Sequence, residues 1–510
     1  MRRAGWKRPL GVLLGLLVLV LGLPAAAQAQ AQPGLSHPRP RPPVEDPAPT
    51  GPDCTTTPSS TQAGYSVADP RCVFNGTAYT GARFVPQTNA AGHPISRTFT
   101  GILAGAPYRI EVPKQHWNGQ LVLFAHGFRG NGTTVWVDDS PLRTYLVAHG
   151  FAWAASGYST NGYDVGQGVL DSHALIGLFA GKVNRPARGV YMTGVSMGGH
   201  ITAVEIEHFR GDFVGAMPAC GVLGDTKLFD YFTDANVTAA ALTGTAIQFP
   251  MTLAAGQAYA PTYDAQVLSQ LPKLGTGFVS GNPANVSLTP TGQTWASTVE
   301  LRSGGIRPGF ASGFAFWSSI SFAPLTNVPF LFGVYPGLTG GTIGIANGNV
   351  VDNRFTIYRI GDNRGPLTPE EIALNQSVLR VAATTPPSTG LTGIPKVFGD
   401  PRIPVLSMHD IGDLFVPFKM EQIYAQRVAA HGESRLFVSR AIRGVGHCDF
   451  TQAEFQRGFA DLVTWVRTGH RPDGDRVTDA RVVASPTFGC KFTDPTPGAH
   501  PGFVAPACPS

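Results

Sequence analysis

The sequence predicts an α/β fold: a mostly parallel central sheet with helices on both faces, interrupted by a large insertion. Three observations carry this. Short apolar runs alternate with segments of helical period through residues 98–220 and again through 400–470, the pattern of parallel strands joined by helical crossovers. Residues 121–125 (LVLFA) are apolar without alternation, as expected of a strand covered on both faces. Between the two alternating stretches, residues 221–400 are rich in Gly, Thr, Phe and Pro and show no clear period. That is too long for a structureless loop inside a compact domain, so it reads as an inserted cap or lid.

The elements follow in chain order. Residues 108–112 (YRIEV) alternate like a strand, and 121–125 form the next. Ser140 can cap a helix with Pro141 at its first position; Leu142, Tyr145, Leu146 and His149 share one face, and Gly150 ends it. Strand 151–156, helix 169–179, strand 189–193, a helix over 197–208 and strand 213–219 complete the first stretch. After the insertion come strand 403–407, helix 417–430 stopped by Gly432, and strand 436–441. Thr451 and Glu454 form a capping box opening a last helix whose face carries Phe455, Phe459, Leu462, Val463 and Val466. The catalytic domain is thus expected over 54–220 and 401–470, the cap over 221–400, and a polar tail over 471–510.

The first 53 residues carry an address rather than a fold. Arg2, Arg3, Lys7 and Arg8 precede an apolar run from Leu10 to Leu23, and the small residues of 25–29 (AAAQA) follow. Residues 1–29 therefore read as a signal peptide; the apolar run is shorter than the ~20 residues of a membrane anchor. Residues 30–53 are Pro-rich and poor in apolar side chains, as in a linker. The expected location is extracellular or periplasmic, without stable membrane insertion. The leader also holds four positive charges and no acids, so most of the formal +5 belongs to it and the remainder is close to neutral. With no basic cluster, nucleic acid is not an expected partner. Charged residues make up 14% of the chain, below the ~25% of typical domains.

Six cysteines, Cys54, Cys72, Cys220, Cys448, Cys490 and Cys508, suit disulfides in an exported chain. Proximity favours Cys54 with Cys72 and Cys490 with Cys508, each worth ~3 kcal/mol on the chain-entropy model, which leaves Cys220 for Cys448. Their spacing fits no metal site, and no cofactor is expected.

Four stretches carry chemistry. Gly194-Val195-Ser196-Met197-Gly198-Gly199 has the G-x-S-x-G form between a strand and a helix, where a sharp turn flanked by glycines exposes a serine nucleophile; an ordinary Gly-rich turn is the plainer reading. His126-Gly127-Phe128 ends strand 121–125. A tetrahedral intermediate needs fixed donors for its oxyanion: the Met197 N–H and that of Phe128, with Gly127 as the alternative. Gly444-Val445-Gly446-His447-Cys448 follows strand 436–441, and His447 is the candidate base that a serine hydroxyl requires. In His409 to Pro417 (HDIGDLFVP) Asp413 is the preferred acid, with Asp410 and, less favoured, Asp225 as rivals. Loop capping is the plainer role for each of these aspartates. The order Ser196, Asp413, His447 is the one this architecture uses.

These stretches resemble the α/β-hydrolase superfamily, in particular secreted bacterial-type serine esterases, over residues 98–220 and 400–470. The resemblance implies an α/β-hydrolase fold, an acyl-enzyme mechanism, and an acid loop of the form H-G-x-x-D-x-x-V-P, which selects Asp413. There is a partial likeness to tannases and feruloyl esterases. Those carry a cysteine before the nucleophile bridged to one after the histidine; here Cys448 follows His447, but Val195 precedes Ser196. Aromatic residues crowd the span from Phe310 to Tyr335, as the cap's own core or as the wall of an apolar acyl or aryl pocket. The expected activity is hydrolysis of a small or polymeric carboxylic ester. A serine peptidase of the prolyl-oligopeptidase kind and a non-catalytic binding protein on the same scaffold are the alternatives. The first usually needs a propeller, for which residues 54–97 are too few; the second usually loses its nucleophile or base.

Overall fold

The computed structural model describes residues 54, 59–62, 64–341, 348–496, 498–500 and 507–509. All belong to one unit of the chain, Pro42–Ser510; the other unit, Met1–Arg41, lies outside the described residues. So do the expected signal peptide and Pro-rich linker.

An eight-stranded sheet forms the centre: β1 (Ser96–Leu103), β2 (Ala106–Pro113), β3 (Gln120–Ala125), β4 (Ala152–Ser156), β5 (Gly189–Val195), β6 (Gly215–Ala219), β7 (Val405–Asp410) and β8 (Phe437–Ile442). In space the order is β1-β2-β4-β3-β5-β6-β7-β8. Strands β1, β2 and β4 pair antiparallel. From β4 through β3 to β8 every pairing is parallel. All the parallel strands therefore end at one rim.

Period-two alternation divides β3 between two cores. Leu121, Leu123 and Ala125 pack with residues of α2 (Val165–Val183) and α3 (Met197–His208). Val122 and Phe124 pack on the other face, beside Leu146 of the short helix α1 (Arg143–Ala148), and Phe455, Phe459 and Leu462 of the last long helix, Gln452–Thr468. Buried charge on β2 is paired, as the low dielectric requires. Arg109 meets Asp139 at 2.8 Å and Glu111 meets Arg143 at 2.6 Å.

Several boundaries differ from the sequence reading. The helix expected to start at Ser140 begins at Arg143 with Leu142 as its N-cap; Ser140 instead accepts the Leu142 N–H on its hydroxyl, at 3.2 Å. Strand β7 runs on to Asp410 because each residue from Val405 pairs with β8. The capping box of Thr451 and Glu454 is formed.

The regular structure described within residues 221–400 is mainly helical: Lys227–Thr243, Leu253–Leu274, Pro290–Ser303, Phe310–Ser319, Phe330–Gly333 and Pro369–Ser377. No period was legible there for physical reasons. The helix Lys227–Thr243 is buried nearly all round, so it has no polar face to mark a repeat. Its charges are paired inside, Asp234 with Arg302 at 2.6 Å and with the Tyr358 hydroxyl at 2.6 Å. Helix Leu253–Leu274 carries Pro261 and Pro272 within it.

The chain returns from the insertion onto α3. Glu207 accepts the backbone N–H groups of Phe398, Gly399 and Asp400 at 2.7, 2.8 and 3.1 Å. Disulfides join Cys54 to Cys72, Cys220 to Cys448 and Cys490 to Cys508. The tail packs on β8, where Asp475 accepts the Ala441 N–H at 2.9 Å. Among the described residues no helix is long and apolar enough to cross a membrane.

Glu207→Ala leaves three largely buried amides without an acceptor, each costing about 1–3 kcal/mol. The expected result is a clearly lower urea midpoint, reflecting about 3 kcal/mol or more of lost stability, while Glu207→Gln, which keeps one acceptor oxygen, loses less. Equal midpoints for the alanine variant and the parent would contradict this role.

Candidate active site

Ser196 occupies the turn between β5 and α3 with φ 59° and ψ −122°, a conformation non-glycine residues rarely adopt. The flanking glycines make the turn possible. A Cβ on Gly194 would lie 2.2 Å from the Gly198 carbonyl oxygen, and one on Gly198 would lie 2.0 Å from that of Ala125. The Ser196 N–H donates to the Ala219 carbonyl at 3.1 Å, tying the turn to the end of β6.

His447 comes from the loop after β8 and Asp413 from the loop after β7. His447 Nε2 is 2.7 Å from Ser196 Oγ, and its Nδ1 is 2.6 Å from Asp413 Oδ2. A carboxylate can only accept, so Nδ1 carries the proton and Nε2 is left to accept from the hydroxyl. Asp413 is fully buried. Its Oδ1 accepts the N–H groups of Phe415 at 2.8 Å and Val416 at 3.1 Å, which fixes the carboxylate plane.

The two rival acids lie elsewhere. Asp410 Oδ2 accepts the Asp449 N–H at 2.8 Å, and burial together with the neighbouring Asp413 charge pushes its pKa well above the carboxylate range. Asp225 pairs with Arg427 at 2.7 Å. Neither hydrogen-bonds to His447.

The Met197 N–H opens α3 and is among the leading amides of a helix that have no acceptor within it. Gly127 lies against the nucleophile: a Cβ there would be 3.0 Å from Ser196 Cβ and 3.4 Å from Oγ. Phe128 follows, half-buried, its ring 6.5 Å from that of Tyr163. The structure thus places Gly127 against Ser196, with Met197 next in the chain at the start of α3. His126 stands behind the loop. Its Nδ1 is 2.7 Å from the Gly127 carbonyl and its ring stacks on Tyr158 at 3.9 Å. Burial and the Arg129 charge hold it well below the ordinary histidine pKa, which favours the neutral ring.

The sequence did not reveal how the insertion reaches this site. The Phe415 ring is 5.0 Å from that of His447 and 5.0 Å from that of Phe330. Trp317 Nε1 donates to the Val445 carbonyl at 2.9 Å, and buried Arg307 donates to the Ile411 carbonyl at 2.6 Å. The aromatic run from Phe310 was the only signal for this. Cys448 Sγ lies 3.6 Å from His447 Nε2. Cys220, His447 and Cys448 cluster as metal ligands would, but both sulfurs are consumed by their disulfide, and a thiolate is what a metal would need.

No family model matches the chain. An o-phthalyl amidase of Xanthobacter agilis is 33% identical over 76 residues, 15% of this chain and 17% of that protein; the chain therefore matches about a sixth of that relative's length. Solved structures similar to it include feruloyl esterase B from Aspergillus oryzae, at 15% identity and TM-score 0.40, covering 76% of this chain and 86% of that one. A tannin acyl hydrolase from Aspergillus niger matches at 15% identity and TM-score 0.40, covering 74% and 79%. The esterase LipA from Xanthomonas oryzae matches at 15% and 0.30, covering 73% and 87%.

The short Asp413–His447 contact predicts a strongly downfield Nδ1 proton in the NMR spectrum. Asp413→Asn is expected to remove that resonance and Asp410→Asn to keep it. The reverse pattern would assign the contact to the wrong aspartate.

Proposed function

We propose that the chain is a secreted serine hydrolase of the α/β-hydrolase type that cleaves carboxylic esters. The observation that carries this reading is the unbroken hydrogen-bond chain from Asp413 through His447 to Ser196. As His447 Nε2 takes the hydroxyl proton, Ser196 Oγ attacks the ester carbonyl. The buried Asp413 carboxylate stabilises the imidazolium that forms and holds its orientation. The oxyanion is met by the Met197 N–H and that of Phe128, or of Gly127, all of them preset before the charge develops. Collapse of the tetrahedral intermediate passes the proton from Nε2 to the departing alkoxide and leaves an acyl-serine. Water, deprotonated by the same nitrogen, then releases the acid.

Residues 221–400 serve as the cap in this reading. Phe322 and Phe330 pack on Phe415 at 5.6 and 5.0 Å, and Phe415 adjoins His447. That supports an apolar acyl or aryl group beside the base, where water is displaced. The three disulfides suit an oxidising compartment. An ester is preferred to an amide because its leaving group needs less help from the general acid. The short match to a protein named as an amidase makes an anilide the right comparison substrate.

The test uses p-nitrophenyl acetate beside a p-nitroanilide. The ester is expected to turn over faster, and Ser196→Ala should lower kcat by at least ~10³-fold. Undiminished hydrolysis by that variant would end the proposal.

A further inference from the structure

Near Asp413 lies a second ionisable pair, His409 and Glu421, outside the proposed triad. His409 is on β7 and Glu421 on the helix Lys419–Ala430; both are fully buried. His409 Nε2 is 2.8 Å from the Val416 carbonyl oxygen. A carbonyl only accepts, so this nitrogen carries a proton and Nδ1 faces Glu421 Oε2, at 3.6 Å. The same carboxylate oxygen accepts the Ser407 hydroxyl at 2.8 Å. Burial by itself would lower the His409 pKa, yet the adjoining Glu421 carboxylate, with Asp413 and the Val416 carbonyl, leaves it raised.

Val416 links this pair to the acid. Its carbonyl is held by His409, and its N–H donates to Asp413 Oδ1 at 3.1 Å. Pro417 follows, so the next residue has no N–H to share in fixing the loop. Buried polar pairs are generally no more stabilising than well-packed apolar side chains of similar volume, so stability alone does not explain this one. Its placement does: it ends on Val416, one of the two residues whose N–H groups hold the acid.

We infer that His409, oriented by Glu421, is a positioning residue that holds the Val416 segment and through it the plane of the Asp413 carboxylate. The inference rests on the triad reading above. Losing the His409 donor frees the Val416 carbonyl. The acid loop can then shift by a fraction of an ångström, and the imidazole loses its alignment to Ser196. Misplacement of about 1 Å in such a constellation costs on the order of 10²-fold in rate.

The experiment compares His409→Leu, which has no donor, with His409→Gln, whose side-chain N–H₂ can still reach the Val416 carbonyl. With p-nitrophenyl acetate, His409→Leu is expected to lose about 10- to 100-fold in kcat at a KM within about twofold of the parent. His409→Gln should recover most of that loss. Parent-level kcat in a folded His409→Leu, or equal losses in both variants, would overturn the inference. Should His409→Leu fail to fold, Glu421→Gln takes its place, a kcat loss at unchanged KM supporting the inference and parent kcat defeating it. Ser196→Ala is assayed alongside. Activity there removes the triad reading and this inference with it. An inactive Ser196→Ala beside a fully active His409→Leu removes the inference alone.

Discussion

Ser196 sits at φ 59° and ψ −122°, a backbone state that costs on the order of 1–3 kcal/mol, and much of the surrounding structure holds it there. Its N–H is tied to the end of β6, and Gly194 and Gly198 allow the turn to close against the Ala125 carbonyl. Because β3, β5 and β6 are parallel and in register, these contacts all fall at one rim. The same rim receives the loops after β7 and β8. The strain at one serine is thus offset by a sheet whose carboxyl ends converge on it, which is also what lets residues distant in sequence share a hydrogen-bond chain.

The insertion adds a different kind of constraint. Its helices hold charge inside, as where Asp234 lies between Arg302 and Tyr358. It then reaches the acid and base loops through specific bonds: Arg307 to the Ile411 carbonyl, the Tyr231 hydroxyl to the Leu414 carbonyl, and Trp317 to the Val445 carbonyl. Both loops therefore depend on the insertion for some of their backbone satisfaction. A change in its packing would be felt at Asp413 and His447 without any contact to them.

The sheet was legible because its strands are buried on both faces and read as apolar runs bounded by turns, as Leu121 to Ala125 does. The helix Lys227–Thr243 was not, since burial on every side erases the polar stripe from which a period is read. At the site, Ser196 and His447 announced themselves by glycine-flanked positions after strands. The acid was harder. Asp410 and Asp413 both lie near the end of one strand, and local sequence does not say which carboxylate turns toward the base. In the structure Asp410 is the last residue of β7 and accepts the Asp449 N–H, whereas Asp413 lies beyond the strand, where its carboxylate meets the imidazole. The role of Glu207, a helix carboxylate gathering three distant amides, has no local signature at all.

The disulfide between Cys220 and Cys448 ties down the loop that carries the base. Asp413 is fixed by two backbone N–H groups on one oxygen. His447 instead follows Gly444 and Gly446, residues that give its loop little intrinsic stiffness. Cys220 directly follows β6 and Cys448 the histidine itself, so the bond crosses over β7, the strand that leads to the acid. The Cys220 N–H also donates to the Met408 carbonyl on β7 at 2.8 Å. One covalent link thereby references the base loop to the strand before the acid and to the residue just after the Ala219 that anchors Ser196. The imidazole keeps its position between hydroxyl and carboxylate even though its own loop is built from flexible residues.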